Sequence, residues 1–149
     1  MALVMRTTYD KVNDTDIDKL EADLGFALPL EYREFLKDHN GGLPENYLFV
    51  DDDDEIAVRF FGIGLGPEFD YDDVLATLQR LEDRIPAGFM PIGADPGGNL
   101  VLLGTEGDRK GRVFYLDLDA EPGAPSSVRQ LSQSLRSFAE TLQRDPGEP

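Results

Sequence analysis

The stretch Leu28-Pro29-Leu30-Glu31-Tyr32-Arg33-Glu34-Phe35-Leu36-Lys37-Asp38-His39-Asn40-Gly41-Gly42 constrains the fold more than any other, because it carries the start, the buried face and the end of one helix. Pro29 suits a first helical turn, where its missing N–H would have had no partner. Tyr32, Phe35 and Leu36 fall at i, i+3 and i+4, the spacing of a stripe buried against a core, and Glu31, Arg33, Glu34, Lys37 and Asp38 are left for water. Asn40-Gly41-Gly42 is expected to stop the helix, since Asn and Gly both tolerate the left-handed conformation that closes one. His39, the only histidine, then sits in the last turn, where it favours the negative end of the helix dipole.

The flanking segments complete an α+β pattern. Thr15 is expected to cap a first helix with Ile17, Leu20 and Leu24 on one side and Gly25 at its end. Tyr47 to Val50 and Ile56 to Ile63 read as strands from their β-branched and aromatic content, and Gly62, Gly64, Gly66 and Pro67 break the second. Asp70 or Tyr71 is expected to open a middle helix with Val74, Leu75, Leu78 and Leu81 inward, closed before Pro86. Phe89 to Ala94 and Asn99 to Leu103 flank a Pro96-Gly97-Gly98 turn and read as an antiparallel hairpin, followed by a strand from Arg112 to Leu118. After a loop from Glu121 to Ser127, Val128, Leu131, Leu135, Phe138 and Leu142 read as the stripe of one last helix, and Asp145 to Pro149 are expected to fray. The sum is a mostly antiparallel sheet of about five to six strands with two N-terminal helices, a middle helix and a C-terminal helix. Phe60-Phe61 and Phe114-Tyr115 send one ring to each sheet face, so one member of each pair is a candidate to line a concave or exposed face; if helices cover both sides, both rings pack in the core.

At 149 residues one domain is expected, able to bury roughly two-thirds of its unfolded surface. No apolar stretch approaches the ~20 residues of a membrane span, and the apolar start before Arg6 is too short for a secretory signal, so a soluble cytoplasmic protein is expected. The chain has no cysteine, which removes disulfides and thiolate metal sites. Its 30 acidic and 14 basic residues give a formal net charge of -16. That charge disfavours direct binding to nucleic acid or to anionic membrane, and favours encounter with a basic protein.

Catalytic motifs are missing. Gly93 to Asn99 lacks the lysine and the following helix of a phosphate-cradling loop, carries Asp95 and leads into a strand, so it reads as a turn. Asp51-Asp52-Asp53-Asp54-Glu55 lacks the alternating ligands and central glycine of a calcium loop, and reads as a solvated acidic loop open to a partner. There is no G-x-S-x-G elbow, and no pair of carboxylates is singled out among so many acids. No catalytic residue, metal or cofactor is therefore expected.

Three pieces carry a family resemblance. Leu28-Pro29, Tyr32-Arg33, Phe35-Leu36 and Asn40-Gly41-Gly42 match an LP..YR.FL...NGG signature; Pro91 to Leu100 followed by Gly111 to Asp117 stands at the matching distance; and Leu131, Leu135, Ser137, Phe138 and Leu142 look like a closing S-F-x-E/D-x-L element. On these residues the chain resembles the SUKH superfamily, which holds bacterial immunity proteins and the Smi/Knr domain of a fungal cell-wall regulator. The resemblance reaches from about Asp16 to about Gln143 and implies a single domain with its core at about residues 15–143. It implies a non-enzymatic module, an immunity protein that neutralises a cognate toxin domain, or else a regulatory scaffold like the fungal members. The acid excess suits a basic toxin such as a nuclease, met by a monomer or weak dimer. Asp51, Asp52, Asp53, Asp54 and Glu55 are the first partner-binding candidates, with Asp70, Asp72, Asp73, Asp117 and Asp119 next.

Overall fold

The computed structural model describes residues 3–52, 55–121, 124 and 127–148. The chain runs through β1 (Met5–Thr7), α1 (Asp14–Leu24), α2 (Leu30–Asp38), β2 (Leu43–Pro44), β3 (Leu48–Val50), β4 (Glu55–Ala57) and β5 (Arg59–Phe60), then a 3-10 segment (Pro67–Asp72) and α3 (Val74–Arg80). It continues through β6 (Phe89–Ala94), β7 (Leu100–Gly104), a 3-10 turn (Gly107–Arg109), β8 (Val113–Leu116), β9 (Val128–Ser132) and α4 (Leu135–Thr141). β5-β6-β7-β8-β9 form one antiparallel sheet in that order, and β1-β2 and β3-β4 are separate two-stranded ribbons. The α+β expectation is met.

Every residue of β6 and β7 is buried, so both faces of the central strands are covered. Phe60, Gly93, Val101, Tyr115 and Arg129 are successive cross-strand partners and share one face. On that face Phe35 of α2 meets Phe60 at 4.9 Å between ring centroids, Phe138 of α4 meets Phe60 at 6.3 Å, and Phe49 of β3 meets Phe138 at 5.2 Å. Each buried ring contributes roughly 1.5–3 kcal/mol, so this aromatic chain binds α2, α4 and the β3-β4 ribbon to the sheet. Phe60, Phe61 and Phe114 are buried and Tyr115 is half-buried, so these rings pack in the core as two-sided coverage requires.

Several local expectations give way. The cap of α1 is Asn13, not Thr15: its side chain accepts from the Asp16 N–H while the Asp16 carboxylate accepts from the Asn13 N–H, a reciprocal pair. The stretch from Ile56 to Ile63 is two short strands, because Val58 still donates to Tyr47 O in the small ribbon whereas Phe60 has crossed to pair with Gly93. The middle helix starts at Val74, capped by Asp73, after the 3-10 segment; Val74 and Thr77 are its buried residues, with Leu75, Leu78 and Leu81 partly buried against the core. The largest correction is at the end of the chain. Val128 and Leu131 do not belong to a helix; they lie in β9, which pairs with β8 and completes the sheet, and α4 begins only after Ser134, whose hydroxyl caps the Ser137 N–H.

After α4, Gln143 pairs with Leu48 through both backbone bonds, Asp145 accepts from the Tyr47 hydroxyl at 2.8 Å, and Glu148 takes both guanidinium NH groups of Arg6. Of the tail expected to fray, Asp145 is tied to Tyr47 and Glu148 to Arg6 of β1, and Pro149 lies outside the described residues.

Candidate functional site

Asn40 and the two glycines after it organise the region with the most chemistry. Asn40 does not take a left-handed conformation, since no residue except glycine has positive φ among the described residues. The helix stops because His39 turns extended, φ -145°, its ring edge-on to Phe35. Asn40 is only 3% exposed and spends its whole amide inside: Nδ2 donates to Asp10 O at 2.9 Å and Ile63 O at 3.2 Å, and Oδ1 accepts from the Ile63 N–H at 2.8 Å. Its backbone carbonyl accepts from the Tyr9 N–H. One buried amide therefore joins the segment before α1 to the loop after β5.

Gly41 and Gly42 let those segments close up. A Cβ on Gly41 would stand 2.5 Å from the Gly62 N, and one on Gly42 2.0 Å from the Thr7 O, with φ +68° and +114° respectively. Opposite them, Asp73 caps α3 with one oxygen on the Ala76 N–H and the other on the Leu65 N–H. Asp72 accepts from the Tyr9 hydroxyl at 2.6 Å and from Arg59 Nε at 2.8 Å. Burial and the bond to that carboxylate push the Tyr9 phenol up to about 12. Tyr9 also meets Phe69 edge-on, 5.5 Å between centroids.

Together these contacts hold open a groove of about 880 Å³ between residues 8–12 with α1 on one side and the loop from Ile63 to Asp73 on the other. Its lining includes the apolar Val12, Leu20, Ile63, Leu65, Phe69 and Leu75. Phe69 is 42% exposed, and Tyr71 beside it is 72% exposed with the Arg80 guanidinium 4.4 Å from its ring centroid. Asp10, Asp16, Asp23 and Asp70 edge the groove as exposed carboxylates, and Lys11 and Lys19 are its cations. Among the described residues none of those four carboxylates forms an ion pair. The contrast is with Asp14, Asp18 and Glu21, which surround Arg33 and join α1 to α2.

The acids singled out from the sequence fall into separate places. Asp51 pairs with Arg129 of β9 at 2.6 Å, Asp52 and Glu55 are exposed, and Asp53 and Asp54 lie outside the described residues. Arg59 and Arg129 stand on opposite edges of the sheet, so Asp72 and Asp51, their respective partners, are separated by four interstrand spacings, roughly 19 Å. Asp70 is exposed on the groove edge, Asp72 is half-buried in its network, and Asp73, 9% exposed, is turned inward as a cap. Asp117 accepts from the Asp119 N–H in the turn after β8, and Asp119 is exposed. Sequence reasoning missed Asp10, Asp16, Asp23 and the staple role of Asn40. Only the length of Asn40's side chain, placed ahead of two glycines, hinted at such a role.

Among the described residues no cluster of histidine and carboxylate side chains could hold a metal ion, and no helix is long and apolar enough to cross a membrane. With Asn40 and Asp73 committed to backbone groups, the groove presents shape, apolar surface and rim charge. Those are the properties of a binding surface.

Comparison with known proteins gives two findings. The sequence model of the SMI1 / KNR4 family (SUKH-1) matches residues 11–143. The SPbeta prophage-derived uncharacterized protein YokK of Bacillus subtilis (strain 168) is 22% identical over 130 residues, an alignment covering 73% of this chain and 64% of that protein.

Proposed function

This chain belongs to the SMI1 / KNR4 family (SUKH-1), and from that premise we propose that it is a non-enzymatic protein-binding module, an immunity protein that occupies and neutralises a cognate basic toxin domain. The observation that carries this reading is the acid excess, 30 carboxylates to 14 cations, displayed on a surface whose groove joins unpaired carboxylates to an apolar floor. A toxin that acts on nucleic acid presents lysine and arginine where it grips phosphates. Carboxylates that meet those cations steer the encounter and block the substrate, while apolar contacts at the centre of the interface set how long the complex lasts. The protein acts as a monomer or weak dimer in the cytoplasm, needs no cofactor, and has no direct contact with nucleic acid or membrane.

Co-expression with the product of the adjacent open reading frame tests this. The expected result is an equimolar complex that co-purifies and abolishes the toxicity of that product. Recovery instead with regulatory proteins, and no protection from any neighbouring product, would move the assignment to a scaffold like the fungal members.

A further inference from the structure

We infer that the groove between α1 and the Ile63–Asp73 loop is the docking site, and that its occupant is an extended segment of the partner in which an apolar or aromatic side chain is flanked by lysine or arginine. The inference rests on the protein-binding reading above and names the surface and the partner element.

The floor argues for an apolar anchor. Ile63, Leu65, Leu20 and Phe69 line it, and Phe69 keeps 42% of its surface exposed although it lies against Tyr9. An aromatic ring left half in water beside a concavity is the kind of residue that carries binding energy once a partner excludes that water. The buried polar groups argue against a small polar ligand: every amide atom of Asn40 and both oxygens of Asp73 are already bonded to backbone. What remains to recognise a ligand is shape and rim charge.

The rim decides the sign. The loop wall from Gly64 to Asp73 presents the exposed Glu68 and Asp70 and no lysine or arginine, while Asp72 is paired with Arg59 and Asp73 is turned inward as a cap. Across from it, residues 8–12 and α1 contribute Asp10, Asp16 and Asp23 besides Lys11 and Lys19, so the exposed carboxylates of the groove outnumber its cations. Carboxylates without ion pairs on both walls are complementary to cations on each side of a central anchor and repel an acidic segment. The groove is also far from Asp51, across the width of the sheet, so the two are separable by mutation.

The test uses a short blocked peptide with one central tryptophan between two pairs of lysines. The protein contains no tryptophan, so the emission belongs to the peptide alone. The expected result is a saturable blue shift, with ¹⁵N-resolved amide shifts confined to residues 9–23 and 63–73. Phe69→Ser and the pair Asp23→Asn with Asp70→Asn should each weaken binding at least about tenfold, equivalent to 1.4 kcal/mol. All three positions are exposed, so thermal melts should stay close to wild type. Binding of a glutamate-flanked peptide with equal affinity, shifts centred on residues 51–55, unchanged affinity in the variants, or absence of saturation would each overturn the groove. Co-purification with a basic toxin decides the broader reading independently: a toxin complex indifferent to the groove variants would leave that reading intact and remove the groove from it.

Discussion

Asn40 shows how much one side chain can decide. Replacing it with alanine strips partners from the Ile63 N–H and from the carbonyls of Ile63 and Asp10, all at a position 3% exposed. Buried groups left unsatisfied make Asn40→Ala cost about 2–4 kcal/mol, read as a lower urea midpoint, with faster amide exchange at Ile63. A midpoint equal to wild type would show that the staple is dispensable. Gly42→Ala should be harmful for a different reason: its Cβ would stand 2.0 Å from the Thr7 O at φ +114°. Overpacking against backbone cannot relax by a rotamer change, so a loss of about 2 kcal/mol or more is expected in the same assay. At this scale the sequence was legible in part. Asn-Gly-Gly marked the end of a helix, but why it needs those three residues became visible only with the segments that α2 is packed beside. A side-chain bond across 23 to 30 positions leaves no local pattern.

Among the elements, α1, α2 and the β6-β7 hairpin could be read directly, because each carries its own period and its own stop signal. The tail of the chain could not. Val128, Leu131 and Leu135 repeat at helical spacing, yet β8 offers an open edge, and pairing with it stabilises Val128–Ser132 as a strand despite the pattern. Ser134 was the available clue, since a hydroxyl that caps Ser137 places the helix start after the strand. The last residues show the same dependence on distant partners. Tyr47's hydroxyl holds the Asp145 carboxyl below its ordinary range, and the Arg6 guanidinium does the same for Glu148. A depressed carboxylate stabilises the folded form above its unfolded pKa, and that contribution disappears as pH falls through the folded value. The tail should therefore detach on acidification below about pH 4, seen as sharpening of the 145–148 amide signals while β6 and β7 stay protected. Amide signals unchanged to the pH of global unfolding would contradict the latch.

For the whole molecule the governing quantity is the net charge of -16. The carboxylates in excess over cations repel one another, so NaCl should raise the melting temperature as the screening length falls to ~10 Å at 0.1 M. A melting temperature that is flat or falling with NaCl would mean that the internal pairs around Arg33, Arg59 and Arg129 outweigh the repulsion. The groove itself was invisible in the sequence because its acids lie up to 60 positions apart and meet only through the fold. The acid run was conspicuous there, and its first member, Asp51, pairs with Arg129 on the other sheet edge. On the proposed reading both regions meet a basic partner, and the most direct test of the account is stopped-flow association of the purified chain with the toxin domain from the adjacent reading frame over a range of NaCl. The account predicts a rate that falls steeply with salt, a shallower slope when Asp51, Asp52, Asp53, Asp54 and Glu55 are changed to Asn or Gln, and faster dissociation in Phe69→Ser. A rate indifferent to salt, with wild-type kinetics in both variants, would contradict it.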